Sequence, residues 1–374
     1  MKVIIAPDSF KGSSSSADAC CIIKRRILDI CPKADVICIP IADGGEGTLD
    51  ALVDSNSRKQ MTVTGPLGDK ICARYGHIGK TAIVEMAAAA GLTLVPSKNR
   101  SAANTTTYGV GELIADAIDN GFRKIMLTAG GSATNDGGCG MMAALGVSFF
   151  DKNGTPFVPT GGTLADIAKI DVSGIKPELY RCEITIATDV KNPLLGQYGA
   201  TCVYAPQKGA NADELTQMEQ GMVHYAALLK DISEKEVSSV EGCGAGGGIA
   251  APLVAVLNAS IRSGIDTVLD SADFDAALKN ADIVITGEGK IDRQSLFGKA
   301  ISGVTKRANA GGVPVYCFVG GIGDDKEQLL SMGIADIYAI SSLARSLSDA
   351  MENASKYLDI ITEQFVEEVI NHEK

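Results

Sequence analysis

The sequence predicts an α/β protein in which a five-stranded parallel sheet of flavodoxin-like order is interrupted by an inserted mixed α/β domain. Three observations carry this. Short β-branched apolar runs alternate with amphipathic helical stretches at both ends of the chain, the pattern of parallel strands joined by crossover helices. In the middle of the chain that pattern gives way to alternating apolar and polar residues bounded by turn signals, as in antiparallel hairpins. At 374 residues the chain is also longer than one hydrophobic core usually spans. The boundaries that follow are 1–56 with 260–374 for a discontinuous flavodoxin-like domain and 57–259 for the insertion.

Taken in order, Val3–Ala6 is the first strand. Ser13–Ser16 can cap a helix in which Cys20, Ile23, Ile27 and Ile30 recur at helical spacing. Val36–Pro40 is the second strand and Gly45–Val53 the second helix. Gln60–Thr64 and Lys70–Ala87 alternate as hairpin strands, turned at Gly65–Asp69 and Gly79–Lys80. Tyr108–Asn120 is an amphipathic helix, Lys124–Thr128 a strand and Asp151–Gly154 a further hairpin turn. Glu183–Thr188 and Thr201–Tyr204 read as strands, ahead of a polar-faced helix over Ala212–Leu229. Then the first pattern returns. Ile283–Thr286, Pro314–Val319 and Asp336–Ile340 are buried strands separated by helices over Gly298–Asn309 and Lys326–Ser331. A long C-terminal helix places Met351, Ala354, Leu358, Ile361 and Phe365 on one stripe. Two strands before the insertion and three after it give the order 2-1-3-4-5, with its switch point between strands 1 and 3. The loops Asp8–Gly12 and Gly287–Asp292 would face each other there.

Composition narrows the function classes. Apolar residues make up 45% and charged residues 21%, the balance of a globular chain. No apolar run approaches the roughly 20 residues needed to cross a bilayer, and the N-terminus opens as a strand rather than a signal peptide. The ten cysteines include no CxxC and read as reduced residues of a cytoplasmic protein. Three scattered histidines offer no zinc site, and a net charge of −11 disfavours a nucleic-acid partner. A small-molecule substrate is the remaining class, no membrane partner is expected, and a homo-oligomer stays open.

Glycine is in excess, 42 of 374 residues or about 11%, against a usual value of about 7%. Two of the glycine clusters read as phosphate holders. Thr128–Gly138 leaves a strand and runs into the helical pattern Cys139–Leu145, so that Gly130, Gly131, Ser132, Thr134 and Asn135 could cradle an anion against the helix start. Gly242–Gly248, with Gly246 and Gly247, precedes the apolar helix Ile249–Asn258. It contains a formal GxGxxG but lacks the preceding strand of a dinucleotide fingerprint, and no GxxxxGK[ST] occurs. Both clusters also fit plain tight turns between helix and strand. Four acidic loops follow strands: Asp8-Ser-Phe-Lys-Gly12, Asp43-Gly-Gly-Glu-Gly47, Asp189-Val-Lys-Asn192 and Gly287-Glu-Gly-Lys-Ile-Asp-Arg293. Amides and a lysine for phosphate, carboxylates for Mg²⁺ and a base at an acceptor hydroxyl are the inventory of phosphoryl transfer.

The segments Ile5–Ser13, Pro40–Thr48, Gly130–Gly138, Ala187–Gly196, Ala205–Ala210, Gly244–Gly248 and Thr286–Ser295, taken together, resemble the bacterial glycerate kinase family of the type that phosphorylates D-glycerate. They span nearly the whole chain, and the resemblance implies a two-domain α/β kinase. It also implies ATP and Mg²⁺ as co-substrate and metal, and glycerate as acceptor, with 2-phosphoglycerate as the favoured product.

Individual roles rest on the residues themselves. Asp189 is read as the base or a metal ligand, and Asp8 or Asp43 as sharing Mg²⁺ or orienting the acceptor hydroxyl. Lys11, Lys290 and Arg293 would pair with a substrate carboxylate or the transferring phosphate. Glu46, Glu288 and Asp292 complete the substrate side. A kinase for another hydroxy acid or polyol and a non-enzymatic two-domain receptor are the competing readings.

Overall fold

Lys2–Pro7 (β1) is buried along all but its first residue, as a strand covered on both faces must be. A computed structural model describes residues 1–10, 12–42, 44–45, 47–292, 300–323 and 326–370. They divide into two compact units, the first Met1–Asp43, Asp50–Leu52 and Gly264–Lys374, the second Gly44–Leu49 and Val53–Ser263.

In the first unit β1 pairs with Asp35–Cys38 (β2) on one side and Ile283–Ile291 (β12) on the other, followed by Val315–Ile322 (β13) and Asp336–Ala339 (β14). All the pairings are parallel and the order is β14-β13-β12-β1-β2, the doubly wound order expected. Alternate residues serve opposite faces. Ile4, Ala6, Val284 and Val319 pack with Ile265, Phe274 and Val304 from helices on one side. Val3, Ile5, Ile285 and Phe318 pack with Ile23, Ile27, Leu358 and Phe365 on the other. Phe365 anchors that second layer, with its ring edge-on to Tyr316, Phe318 and Tyr338 at centroid distances of 4.9 to 5.7 Å.

The first unit departs from expectation in two places. The strand that ends at Thr286 by sequence runs on to Ile291, so the segment Gly287–Ile291 is paired strand rather than loop. Gly287 allows a close approach there, since a Cβ on it would run into the carbonyl of Phe318 on the neighbouring strand. The C-terminal helix is two, Leu347–Glu352 and Ala354–Phe365, and Met351 is exposed. The break falls at Asn353, whose side-chain amide donates to the carboxylate of Asp349 (2.8 Å). The helix expected over Gly298–Asn309 is found over Ala300–Ala310, while Gly298 and Lys299 lie outside the described residues.

The second unit holds a six-stranded sheet in the order Ser260–Arg262 (β11), Glu183–Ala187 (β10), Lys124–Thr128 (β6), Thr81–Glu85 (β5), Lys70–Ile78 (β4) and Arg58–Thr64 (β3). Strands β3, β4 and β5 are antiparallel. Strands β6, β10 and β11 continue from β5 in parallel. A small sheet of Ser148–Phe150 (β7), Pro156–Phe157 (β8) and Lys169–Asp171 (β9) carries the expected hairpin, whose turn is closed by Asp151 accepting the Asn153 and Thr155 amides. Two readings are corrected. The alternation through Ala87 ends at Glu85, where Met86–Ala90 turns helical. Thr201–Tyr204 is no strand but part of the helix Ala200–Tyr204, because Thr201 is buried against Asn135 and its carbonyl accepts the Ala205 amide, a local demand that outweighs β-propensity.

Truncating Phe365 to Ala is expected to cost about 3–5 kcal/mol, since a fully buried aromatic leaves a cavity the three neighbouring rings cannot fill. A shift of the denaturant midpoint at constant slope measures it.

Candidate functional site

The register of the second unit's sheet lines up four strand ends. Glu85 lies opposite Thr128, Thr128 opposite Ala187, and Ala187 opposite Arg262. The loop Ala129–Gly138, the segment Thr188–Asn192 and Ser263 therefore leave one carboxyl edge, the edge at which open α/β sheets bind ligands.

In the loop after β6, Gly130 is half-exposed, Gly131 is exposed with φ 71°, and Ser132 is buried at 8% exposure. The loop is held by the Gly131 carbonyl, which accepts the Leu92 amide (2.8 Å), and by the Ala133 amide, which donates to Ala90 (2.8 Å). The amides of Gly130, Gly131 and Ser132 make no hydrogen bond to a described residue. The lower part of the loop is different. Thr134, Asn135 and Asp136 are wholly buried. Asp136 accepts the Thr107 amide and hydroxyl (both 2.8 Å) and the amides of Gly138 (3.1 Å) and Gly140 (3.2 Å). Burial raises its pKa and those hydrogen bonds oppose the rise. The start of the helix Cys139–Ala144, read from sequence as open to a phosphate, is thus already occupied by the protein's own carboxylate. What stays available for an anion is Gly130–Ser132. Asn135 donates to the Thr201 hydroxyl (3.1 Å), while its side-chain oxygen and the Thr134 hydroxyl have no partner among the described residues.

Gly246 and Gly247 lie behind this loop. The Gly137 amide donates to the Gly247 carbonyl (3.0 Å), and at φ 74° a Cβ on Gly247 would collide with the Thr134 carbonyl. A Cβ on Gly246 would press on Met86. This second glycine cluster lets two backbones touch and so supports the first.

Lys208 closes the loop from the side. It is 2% exposed, and its ammonium donates to Ser132 Oγ and to the Thr134 carbonyl, each at 2.7 Å. Burial pulls its pKa down to about 7, against an upward pull from Asp136. At the end of β10, Asp189 is half-buried and its carboxylate accepts the Ser263 hydroxyl (2.9 Å). Glu85 is buried at the end of β5 and accepts the Leu49 amide (2.8 Å), which anchors the segment after Gly47.

In the first unit Asp8 and Glu288 follow the last register pair of β1 with β12, Pro7 and Gly287, and so flank the switch point of that sheet. Asp8 is buried and its carboxylate accepts the Ser9 amide (2.5 Å). Lys290 is exposed and ion-paired with Asp292 at 3.8 Å. Lys11, Asp43, Glu46 and Arg293 lie outside the described residues. Among the described residues no three His, Cys, Asp or Glu side chains cluster as a metal site. Mg²⁺ bound through one or two carboxylates and substrate phosphates needs no such cluster, and the oxygen donors Asp189, Asp8 and Glu288 are of the type it takes. No helix among the described residues is long and apolar enough to cross a membrane.

The family model described as the glycerate kinase family matches residues 3–370. The chain belongs to the glycerate kinase family. It is accordingly an enzyme, a kinase. A Bacillus subtilis (strain 168) protein named glycerate kinase is 45% identical to it over 96% of this chain and 95% of its own length. An Escherichia coli (strain K12) protein named glycerate 2-kinase is 40% identical over 95% and 94%. A crystal structure attributed to a glycerate kinase 2 of Salmonella typhimurium LT2 superposes with a TM-score of 0.90 at 37% identity, covering 100% of this chain and 99% of that one.

Within this glycerate kinase family member, sequence reading singled out the loops but missed Lys208, Asp136 and Glu85 as parts of them. Asp136 and Lys208 stand inside motifs that were singled out, Gly130–Gly138 and Ala205–Ala210. Glu85 is a lone acid closing an apolar strand, a signal hidden by reading the strand as a longer hairpin.

Replacing Asp136 with Ala strands three buried amides and is expected to destabilise the protein by roughly 3–5 kcal/mol, read by denaturant unfolding. Lys208 gives a pH signature. Above about pH 7 the folded chain has released a proton that the unfolded lysine still holds, so stability rises with pH up to the ordinary lysine range. Unfolding measured between pH 7 and 9 shows this increment, and Lys208→Met is expected to remove it.

Proposed function

We propose that this chain transfers the γ-phosphoryl group of ATP to the 2-hydroxyl of D-glycerate, giving 2-phosphoglycerate. The observation that carries the reading is 40% identity, over nearly the full length of both chains, to the protein named glycerate 2-kinase. Three features of the molecule support it. The amides of Gly130, Gly131 and Ser132 are donors suited to a phosphate of the nucleotide. Asp189, held by Ser263 two residues beyond β10, offers a hard oxygen at the same sheet edge. Asp8 and Glu288 place two acids at the switch point of the parallel sheet.

In this reading Gly130–Ser132 orient the phosphates, supported from behind by Gly246 and Gly247. Asp189 would hold Mg²⁺, and Asp43 is assigned to the metal as well. When bound, Mg²⁺ neutralises charge on the oxygens of the transferring group. Asp8 takes the proton of the acceptor hydroxyl at its carboxylate, and Lys11, Lys290 and Arg293 pair with the glycerate carboxylate or the phosphoryl group. Glu46, Glu288 and Asp292 position these cations. Ten free cysteines and ATP as donor support a cytoplasmic enzyme.

The test is ATP, Mg²⁺ and D-glycerate with the purified chain, coupled to enolase, which consumes 2-phosphoglycerate directly. A signal with enolase alone is expected. A signal that appears only after phosphoglycerate mutase is added moves the reaction to the 3-hydroxyl. No transfer to glycerate, with transfer to another hydroxy acid or polyol, overturns the acceptor. Asp189→Asn is expected to lower kcat/KM by about 100-fold or more. Wild-type turnover with unchanged Mg²⁺ dependence would remove Asp189 from the site.

A further inference from the structure

We propose that Lys208 is the positioning residue of the phosphate-binding loop: it aims the Ser132 hydroxyl and the Gly130–Ser132 amides at one phosphate group of the nucleotide, and its own charge is matched only when that phosphate is bound. The inference rests on the reading that this loop takes the nucleotide phosphates.

The argument begins with what an ammonium can do. It has three donors and no acceptor. Two of the donors are spent on Ser132 Oγ and the Thr134 carbonyl, both 2.7 Å away and both neutral. Since Ser132 must accept from Lys208, its own proton is left to donate elsewhere. Ser132 is 8% exposed beside the open Gly130 and Gly131, whereas Lys208 is 2% exposed. The lysine therefore lies behind the serine and acts on a ligand through it. The three unspent amides of Gly130, Gly131 and Ser132 add donors of the same sense, a concavity suited to an oxyanion.

The charge balance points the same way. A buried ammonium normally has a carboxylate bonded to it. Lys208 has no ion pair among the described residues. The titratable group whose charge it feels is Asp136, and that carboxylate is committed to Thr107, Gly138 and Gly140. The missing negative charge is what an incoming phosphate supplies. Near neutral pH a fraction of the lysines is uncharged, because burial holds the pKa at about 7. Phosphate binding favours the charged form, so binding takes up protons. The fully buried Thr134 hydroxyl, without a partner among the described residues, is further polar capacity in the same loop.

Calorimetric titration of ADP, ATP and adenosine into the full chain at pH 7.5, in two buffers of different ionisation enthalpy, tests this. The variants are Lys208→Met, Lys208→Arg and Ser132→Ala. Lys208→Met is expected to lose about 30-fold in ADP and ATP affinity with adenosine affinity unchanged. Lys208→Arg recovers most of that affinity but not the proton uptake, because a guanidinium is charged throughout. Ser132→Ala loses about 10-fold. Lys208→Met binding ADP within about 3-fold of the wild type, or a wild type that takes up no more protons than Lys208→Arg, overturns the proposal. Should Lys208→Met fail to fold by circular dichroism, the comparison of wild type with Lys208→Arg decides alone. A wild type that binds pyrophosphate with Lys208-dependent proton uptake but no nucleotide keeps the role of Lys208 and removes the nucleotide reading. Binding of neither overturns both.

Discussion

The buried carboxylate of Asp136 is the constraint around which the second unit's loop is built. An ionised acid without solvent survives only where donors surround it, and here Thr107, Gly138 and Gly140 supply four. Meeting that demand ties the start of the helix Tyr108–Asp119 to the start of the helix Cys139–Ala144, and it holds the loop between them in one shape. The loop can then be rigid at its base and open at Gly130 and Gly131, the combination that prepared anion sites require.

Glycine serves this arrangement in two distinct ways. At Gly131 the positive φ lets the chain turn while leaving its amide exposed. At Gly247 and Gly287 the absent side chain lets one backbone approach another, against Thr134 in one unit and against Phe318 in the other. The excess of glycine is therefore partly a packing requirement. Counting glycines cannot separate the two uses, because both need the same residue and differ only in what lies across from it.

Much of the architecture was legible in the residues. The runs at Val3–Ala6, Val36–Pro40 and Ile283–Thr286 are apolar on both faces, which only a covered parallel strand tolerates, and they led to the observed strand order. The motif loops were legible as well, because Asp, Gly and Ser cluster where strands end. Thr201–Tyr204 and Gly287–Ile291 were misread for one reason. Local preference was strand in the first and turn in the second; the buried side-chain contact of Thr201 with the distant Asn135 decided against the first, and backbone pairing with Val315–Ile322 decided against the second.

Sequence by itself determined the alternation of elements, the glycine- and acid-rich loops and the resemblance that the whole-chain comparisons bear out. Those features are local, written in periodicity and short motifs. Tertiary structure alone decided which loop atoms are already spent. That Asp136 also holds Thr107, 29 positions away, that Gly246 and Gly247 support a neighbouring loop, and that Lys208 reaches Ser132 across 76 positions of chain are facts of long-range pairing. A hydrogen-bond partner so far away in sequence leaves no periodic trace, and only folding brings the two groups to 2.7 Å.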